Sequence, residues 1–179
     1  FPYTTLFRSH RDDVDESYQP LNYEMIKEAL EERFGGKWQI VIRLHNRLKK
    51  ESRSWLNLLP SYVSDATFYE DMQELLLCTD VGLTDYSSWI FDFVLSGKPG
   101  FIIELNLEDY ENARGFYYPI DTTPFPIATS SEELADNIRK FDAEKYAKDK
   151  DVFLAARGCM EDGHASERIV EKINELMAK

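Results

Sequence analysis

Short β-branched runs recur along this chain at intervals filled by helical patterns, and that alternation restricts the fold more than any other feature of the sequence. Trp38-Gln39-Ile40-Val41-Ile42-Arg43-Leu44 is a run of the kind found in buried strands. Val81-Gly82-Leu83-Thr84 and Phe101-Ile102-Ile103 repeat the pattern, and Tyr62-Val63 is a weaker candidate. Between them lie segments with helical spacing. Leu21, Met25, Ile26, Ala29, Leu30 and Phe34 recur every three or four residues and stop at Gly35-Gly36, which predicts an amphipathic helix with a glycine stop. Asp71 to Leu77 and Ser87 to Leu95 read as further helices, the second ending where Gly97-Lys98-Pro99-Gly100 turns the chain. Ser131 with Glu132, Glu133 and Leu134 opens another helix with acids in its first turn, and Ala165 to Met177 closes the chain with a helix. Strands alternating with helices at this spacing predict βαβ units, hence an α/β fold with a Rossmann-like parallel sheet covered on both faces. Leu107 to Pro126 has no sustained period and reads as a long loop, a length that is often functional.

Charge narrows the functional classes. The 33 acidic residues outnumber the 21 basic ones, for a formal charge of −12 over 179 residues, which argues against a broad surface for nucleic acid or anionic lipid. An anionic ligand therefore needs a local basic island. Cys78 and Cys159 provide neither metal spacing nor a disulfide framework, which fits a reducing cytosol, and Cys78 is expected in the core. His10 and His164 have no ligand-spaced partners and are expected at the surface; no metal or cofactor is expected.

Residues 1–9, Phe-Pro-Tyr-Thr-Thr-Leu-Phe-Arg-Ser, resemble the in-frame translation of a sequencing-library adapter. The expectation is that this segment is an artefact and that 10–179 form one domain truncated at its amino-terminal side. Tyr-Thr-Thr-Leu-Phe nonetheless has strand propensity and is able to pair as a surrogate strand.

Two constellations carry chemistry. In Thr84-Asp85-Tyr86-Ser87-Ser88-Trp89-Ile90-Phe91-Asp92-Phe93, a strand ends at Thr84 and a helix begins near Ser87. The first-turn amides and the hydroxyls of Ser87 and Ser88 then converge on a spot that favours phosphate, with Asp92 one turn further along to meet a ribose diol. The alternative is plain N-capping by Asp85 or Ser87 with a solvated Asp92. The second constellation, Arg43-Leu44-His45-Asn46-Arg47-Leu48-Lys49-Lys50 with Arg53, places five basic residues against the single acid Glu51. Arg43 and His45 leave the carboxyl end of a predicted strand, where open α/β sheets bind ligands, and His45 has a side chain suited to donating a proton to a phosphate. The alternative is a solvated basic helix start. Arg114-Gly115-Phe116-Tyr117 offers either a guanidinium for phosphate or an Arg-Gly turn beneath aromatics.

Asp80 to Pro99, with Thr84-Asp85-Tyr86-Ser87-Ser88, Asp92-Phe93 and Lys98-Pro99, resembles the carboxy-terminal domain of the CDP-glycerol glycerophosphotransferase family, the teichoic-acid polymerases and primases. The resemblance extends to Arg43-Leu44-His45, Arg114-Gly115-Phe116-Tyr117, Asp162-Gly163, Ala165-Ser166 and Arg168-Ile169, in the family's order from His10 to Lys179. Arg11-Asp12 also fits, where the family has Arg-Asp after a strand. The resemblance implies the donor half of a GT-B fold, with His45 catalytic and Arg43, Ser87, Ser88 and Arg114 on the donor phosphates. It puts Asp92, Asp85 and Thr84 toward the ribose and nucleotide. The implied reaction moves glycerol phosphate from CDP-glycerol to a hydroxyl of a polyol-phosphate or lipid-linked acceptor, releasing CMP, with no cofactor. Related readings are a ribitol-phosphate or nucleotide-sugar transferase, or a non-catalytic nucleotide-binding module. The family places the acceptor base, a histidine, in an amino-terminal domain missing here. Contact with the inner face of the cell membrane would belong to that missing half of a cytoplasmic, peripheral enzyme. Two departures stand out: Asn46 where a proline is usual, and Pro126-Ile127 where Pro-Gly is usual.

Overall fold

In the computed structural model, residues 3–8, 21–44, 59–85, 87–104 and 118–178 are described, the first stretch as backbone only. The strands are β1 (Tyr3–Arg8), β2 (Gln39–Leu44), β3 (Val63–Asp65), β4 (Val81–Thr84), β5 (Gly100–Ile103) and β6 (Ile127–Ala128). All pair in parallel, in the order β3-β2-β1-β4-β5-β6. This is the doubly wound order: successive strands step one way from β1 to β3, then the other way from β4 to β6, so the reversal falls between β1 and β4. The adapter-like segment thus supplies the central strand, as its strand propensity permits.

The register assigns residues to faces. Leu6 stands beside Ile42 and Leu83, and Leu83 beside Phe101, on one face. Helix α1 (Tyr23–Phe34) covers that face, burying Ile26, Ala29 and Leu30 as its spacing predicts. Asn22 caps it by accepting from the Met25 N–H at 3.1 Å, and Gly35, at φ +74°, ends it. Helix α4 (Ser131–Arg139) lies beside α1 and buries Leu134, Ala135 and Ile138; just past its end, the Phe141 ring meets Phe101 at 5.5 Å between centroids. The two helices are tied by the Arg33 guanidinium on the Phe141 carbonyl, at 3.0 and 2.8 Å, and by an Arg139–Glu32 ion pair.

On the opposite face Gly82 and Gly100 let other elements approach closely. A Cβ at Gly82 would sit 2.7 Å from two Phe93 ring carbons and 3.1 Å from Trp89, and one at Gly100 would sit 2.9 Å from the Phe125 ring. Helix α3 (Ile90–Phe93), extended by a 3₁₀ turn over Val94–Ser96, therefore lies directly on β4. It is shorter than the Ser87 to Leu95 helix the spacing predicts, because residues 87–89 form a turn closed by the Ile90 N–H on the Ser87 carbonyl.

Helix α2 (Met72–Cys78) is capped by Asp71 and buries only Leu76. Cys78, expected in the core, is exposed: it is the last residue of a seven-residue helix that has a single buried position. Lys98 donates to the Leu77 and Thr79 carbonyls, at 2.9 and 2.6 Å, and so closes the end of α2. That gives Lys98-Pro99 a structural role. Helix α5 (Ala143–Ala156) had no counterpart in the sequence reading; it buries only Tyr146 and Phe153. Helix α6 (Ala165–Met177) buries no residue. Of the long loop, 105–117 lies outside the described residues, and a 3₁₀ turn spans Ile120–Thr122.

Candidate functional site

The site is built at the carboxyl edge of the sheet, around the reversal between β1 and β4. Strand β4 delivers Thr84 there fully buried and Asp85 nearly so. Thr84 Oγ1 accepts from the Ser87 N–H at 3.2 Å, which ties the start of the Ser87-Ser88 turn to the strand end. Ser87 is half-buried, Ser88 exposed, and Asp92 exposed on α3. Close packing of α3 on Gly82, with Trp89 and Phe93 edge to face at 5.7 Å, fixes the height of this turn above the sheet.

Two details correct the sequence reading. Neither Asp85 nor Ser87 caps α3, whose first flanking residue is Trp89 with no side-chain cap. The Ser87 amide, expected to be available to phosphate, is committed to Thr84. With only four residues in α3, a helix dipole adds little. Among the described residues, what the turn leaves uncommitted is the pair of serine hydroxyls.

The basic residue Arg43 stands across the sheet from this turn. Phe7 of β1 is in register with Arg43 on one side and with Thr84 on the other. Arg43 and Thr84 thus share a row and a face, two strand spacings or about 10 Å apart. The Arg43 guanidinium is held by Nη1 donating to the Tyr69 carbonyl in the loop after β3. Sequence reasoning missed that loop, though Asp65-Ala66-Thr67 carries the signature of an Asx turn, and Asp65 Oδ1 does accept from the Thr67 N–H at 2.8 Å. His45 and Arg114, the other two candidates, lie outside the described residues, as do Tyr86 and His10. No group of three or more His, Cys, Asp or Glu side chains able to hold a metal occurs among the described residues.

The carboxy-terminal motif serves a different purpose. Asp162 accepts two bonds from Arg168 Nη1, at 2.8 and 2.9 Å, and one from the His164 N–H at 2.9 Å. These contacts, the Arg168 bonds foremost, hold its carboxyl below the usual range. Gly163, at φ +83°, allows the turn. The Asp162–Arg168 pair, with Arg168 Nη2 on the Met160 carbonyl at 2.9 Å, ties the turn before α6 to the start of that helix. His164 is exposed, as expected, and its ring lies 3.0 Å from Glu167.

A parallel sheet in this order, with helices on both faces, defines a doubly wound, Rossmann-like α/β domain with the fold of one half of a GT-B architecture. The comparisons give the particular family. Residues 7–175 match the CDP-Glycerol:Poly(glycerophosphate) glycerophosphotransferase family, and the chain belongs to it. It is 31% identical over 169 residues to a teichoic acid glycerol-phosphate transferase of Staphylococcus aureus, covering 91% of this chain and 42% of the relative. A teichoic acid poly(ribitol-phosphate) polymerase of Bacillus spizizenii is 35% identical over 146 residues, covering 73% of this chain and 23% of the relative. A structure of the wall teichoic acid polymerase TagF superposes with a TM-score of 0.71 at 26% identity, covering 97% of this chain and 43% of that one. The chain therefore spans less than half the length of these relatives.

Proposed function

We propose that this chain is the donor-binding half of a glycerophosphotransferase that moves glycerol phosphate from CDP-glycerol to a terminal hydroxyl of a teichoic-acid or lipid-linked acceptor, releasing CMP. The observation that carries the reading is the row Arg43–Phe7–Thr84, in which the end of β2 that bears Arg43 and the end of β4 that leads into the Ser87-Ser88 turn flank the central strand at the reversal point. Displacement at phosphorus depends mainly on positioning and on neutralising charge at the phosphate oxygens. In this reading Arg43, Ser87, Ser88 and Arg114 hold the diphosphate, while Asp92 takes the ribose beside Asp85 and Thr84. His45 protonates the departing phosphate. The oxygen of the acceptor hydroxyl forms the new bond to the glycerol-bearing phosphorus, the bond from that phosphorus to the CMP oxygen breaks, and CMP departs with the electron pair.

The base that takes the acceptor proton, and any contact with the inner face of the cell membrane, belong in this reading to a further domain. No helix among the described residues is long and apolar enough to cross a membrane. Support for a further domain comes from α6, where Ile169, Val170, Ile173, Leu176 and Met177 form an apolar stripe that is 49–80% exposed. Within the same reading, residues 1–9 are a foreign segment occupying the place of the native central strand, and 10–179 are the donor domain.

The test is titration of the chain with CDP-glycerol, followed by backbone resonances at 43–47 and 85–92. Perturbation of both segments supports the reading, and no movement in either sinks it. A ribitol-phosphate donor is the second reading, favoured by the 35% identity to a ribitol-phosphate polymerase. Parallel titrations with CDP-ribitol and UDP-sugars rank the donors.

A further inference from the structure

Strand β3 is only three residues long, so the ladder that holds β2 on that side ends early. The Ile40 N–H donates to the Tyr62 carbonyl at 2.8 Å, and the Ala66 N–H to the Ile42 carbonyl at 2.7 Å. The next β2 amide facing that side is Leu44, one residue beyond Arg43. Its acceptor is not a strand carbonyl but the side chain of Thr67, whose Oγ1 lies 3.1 Å away. Thr67 is fully buried, and Leu44 nearly so. The hydroxyl is in place because the chain turns immediately after β3, with Asp65 accepting the Thr67 N–H. Two residues on, the Tyr69 carbonyl receives the Arg43 guanidinium. One short loop thus fixes both the backbone that emits Arg43 and the Arg43 side chain.

We propose that Thr67 is a positioning residue for the donor diphosphate. Its hydroxyl stands in for a missing strand carbonyl and sets the end of β2 that bears Arg43, an inference that rests on the donor-site reading above. A cationic arm placed an ångström away loses much of its grip on a phosphate, so a bond that never touches the ligand reads out as affinity.

The test compares CDP-glycerol binding by calorimetry for the wild-type chain, Thr67→Val, Thr67→Ser, Asp65→Ala and Thr79→Ala. Thr79 is also buried, and its hydroxyl donates to the Leu75 carbonyl at 2.8 Å beyond the end of α2, so it controls for general loosening. The expected result is about tenfold weaker binding for Thr67→Val, near-native binding for Thr67→Ser, and a shift of about threefold for Asp65→Ala. Thr79→Ala should lower the melting temperature without moving the affinity. In the same series the Leu44 amide should exchange faster with solvent in Thr67→Val and recover in Thr67→Ser. Native affinity in Thr67→Val overturns the inference, and so does an equal loss in Thr79→Ala. Should Thr67→Val fail to fold, unchanged affinity in Asp65→Ala is the overturning result. Absence of binding by the wild-type chain is a separate outcome, visible before any substitution, and it removes the donor-site reading together with this inference.

Discussion

Arg43 and Thr84 stand on the same face of the sheet in one cross-strand row, separated only by the backbone of Phe7. Their sequence separation of 41 positions collapses to two strand spacings because β2 and β4 both pair with β1. The strand between them thereby couples a basic segment to a serine-rich turn.

Removing the cation tests that pairing. Arg43→Ala should weaken CDP-glycerol binding by roughly 10- to 100-fold, the range expected for charge-assisted hydrogen bonds to phosphate. Arg43→Lys should restore only part of the affinity, since a point charge does not reproduce a planar fork. Calorimetry reads both, and wild-type affinity in Arg43→Ala would place the phosphate elsewhere.

Gly82→Ala probes the other side of the row. The added methyl would sit 2.7 Å from the Phe93 ring, in a core with no room to yield. Overpacking of this kind costs about 1–3 kcal/mol, or a fall in melting temperature of roughly 2–12 °C for a chain of this size. Because Phe93 and Trp89 carry the Ser87-Ser88 turn, donor affinity should fall as well. A variant with native stability would mean that α3 is free to shift.

Deleting residues 1–9 should abolish cooperative unfolding. Parallel strands β2 and β4 both hydrogen-bond to β1, and without it each presents an open edge beside a broken core. Thermal melts followed by circular dichroism check this. Restoring a native strand from a relative in place of residues 3–8 should raise the melting temperature above that of the present chain if the segment is foreign.

The strands follow from periodicity as far as β-branched runs go: β2, β4 and β5 are legible because each is a short apolar block between helical segments, whereas their order in the sheet is not. Positions that depend on tertiary contact are not. Cys78 has the composition of a core residue, yet α2 buries only Leu76 and leaves its last residue exposed. The commitment of the Ser87 amide to Thr84 depends on a turn geometry that residue types alone leave open. Thr67 escaped notice because a threonine after a weak strand looks like any loop residue until its hydroxyl is seen to replace a ladder bond. Helix α5 was overlooked because Lys and Asp dilute its apolar face to two buried residues.

The clip at Asp162 predicts an acid-sensitive α6. Its carboxyl is held below the usual range by Arg168 and the His164 amide, so the folded arrangement favours the charged form. A carboxyl with a depressed folded value contributes in full above the unfolded value and loses that contribution as pH falls through the folded one. The turn at 160–164 should therefore stay closed through the ordinary range of carboxylate titration and open only in stronger acid. The amide resonances of Gly163 and His164 followed against pH report the midpoint, and Asp162→Asn should erase the transition. Ile169→Asp combined with Ile173→Asp should leave the melting temperature of the chain within about 1 °C, since surface substitutions away from packed sites rarely matter. On the proposed reading, the same pair in an enzyme that carries the further domain should loosen the contact between the two domains and lower transferase activity. A large loss of stability in the isolated chain would instead mean that the stripe is packed within this domain.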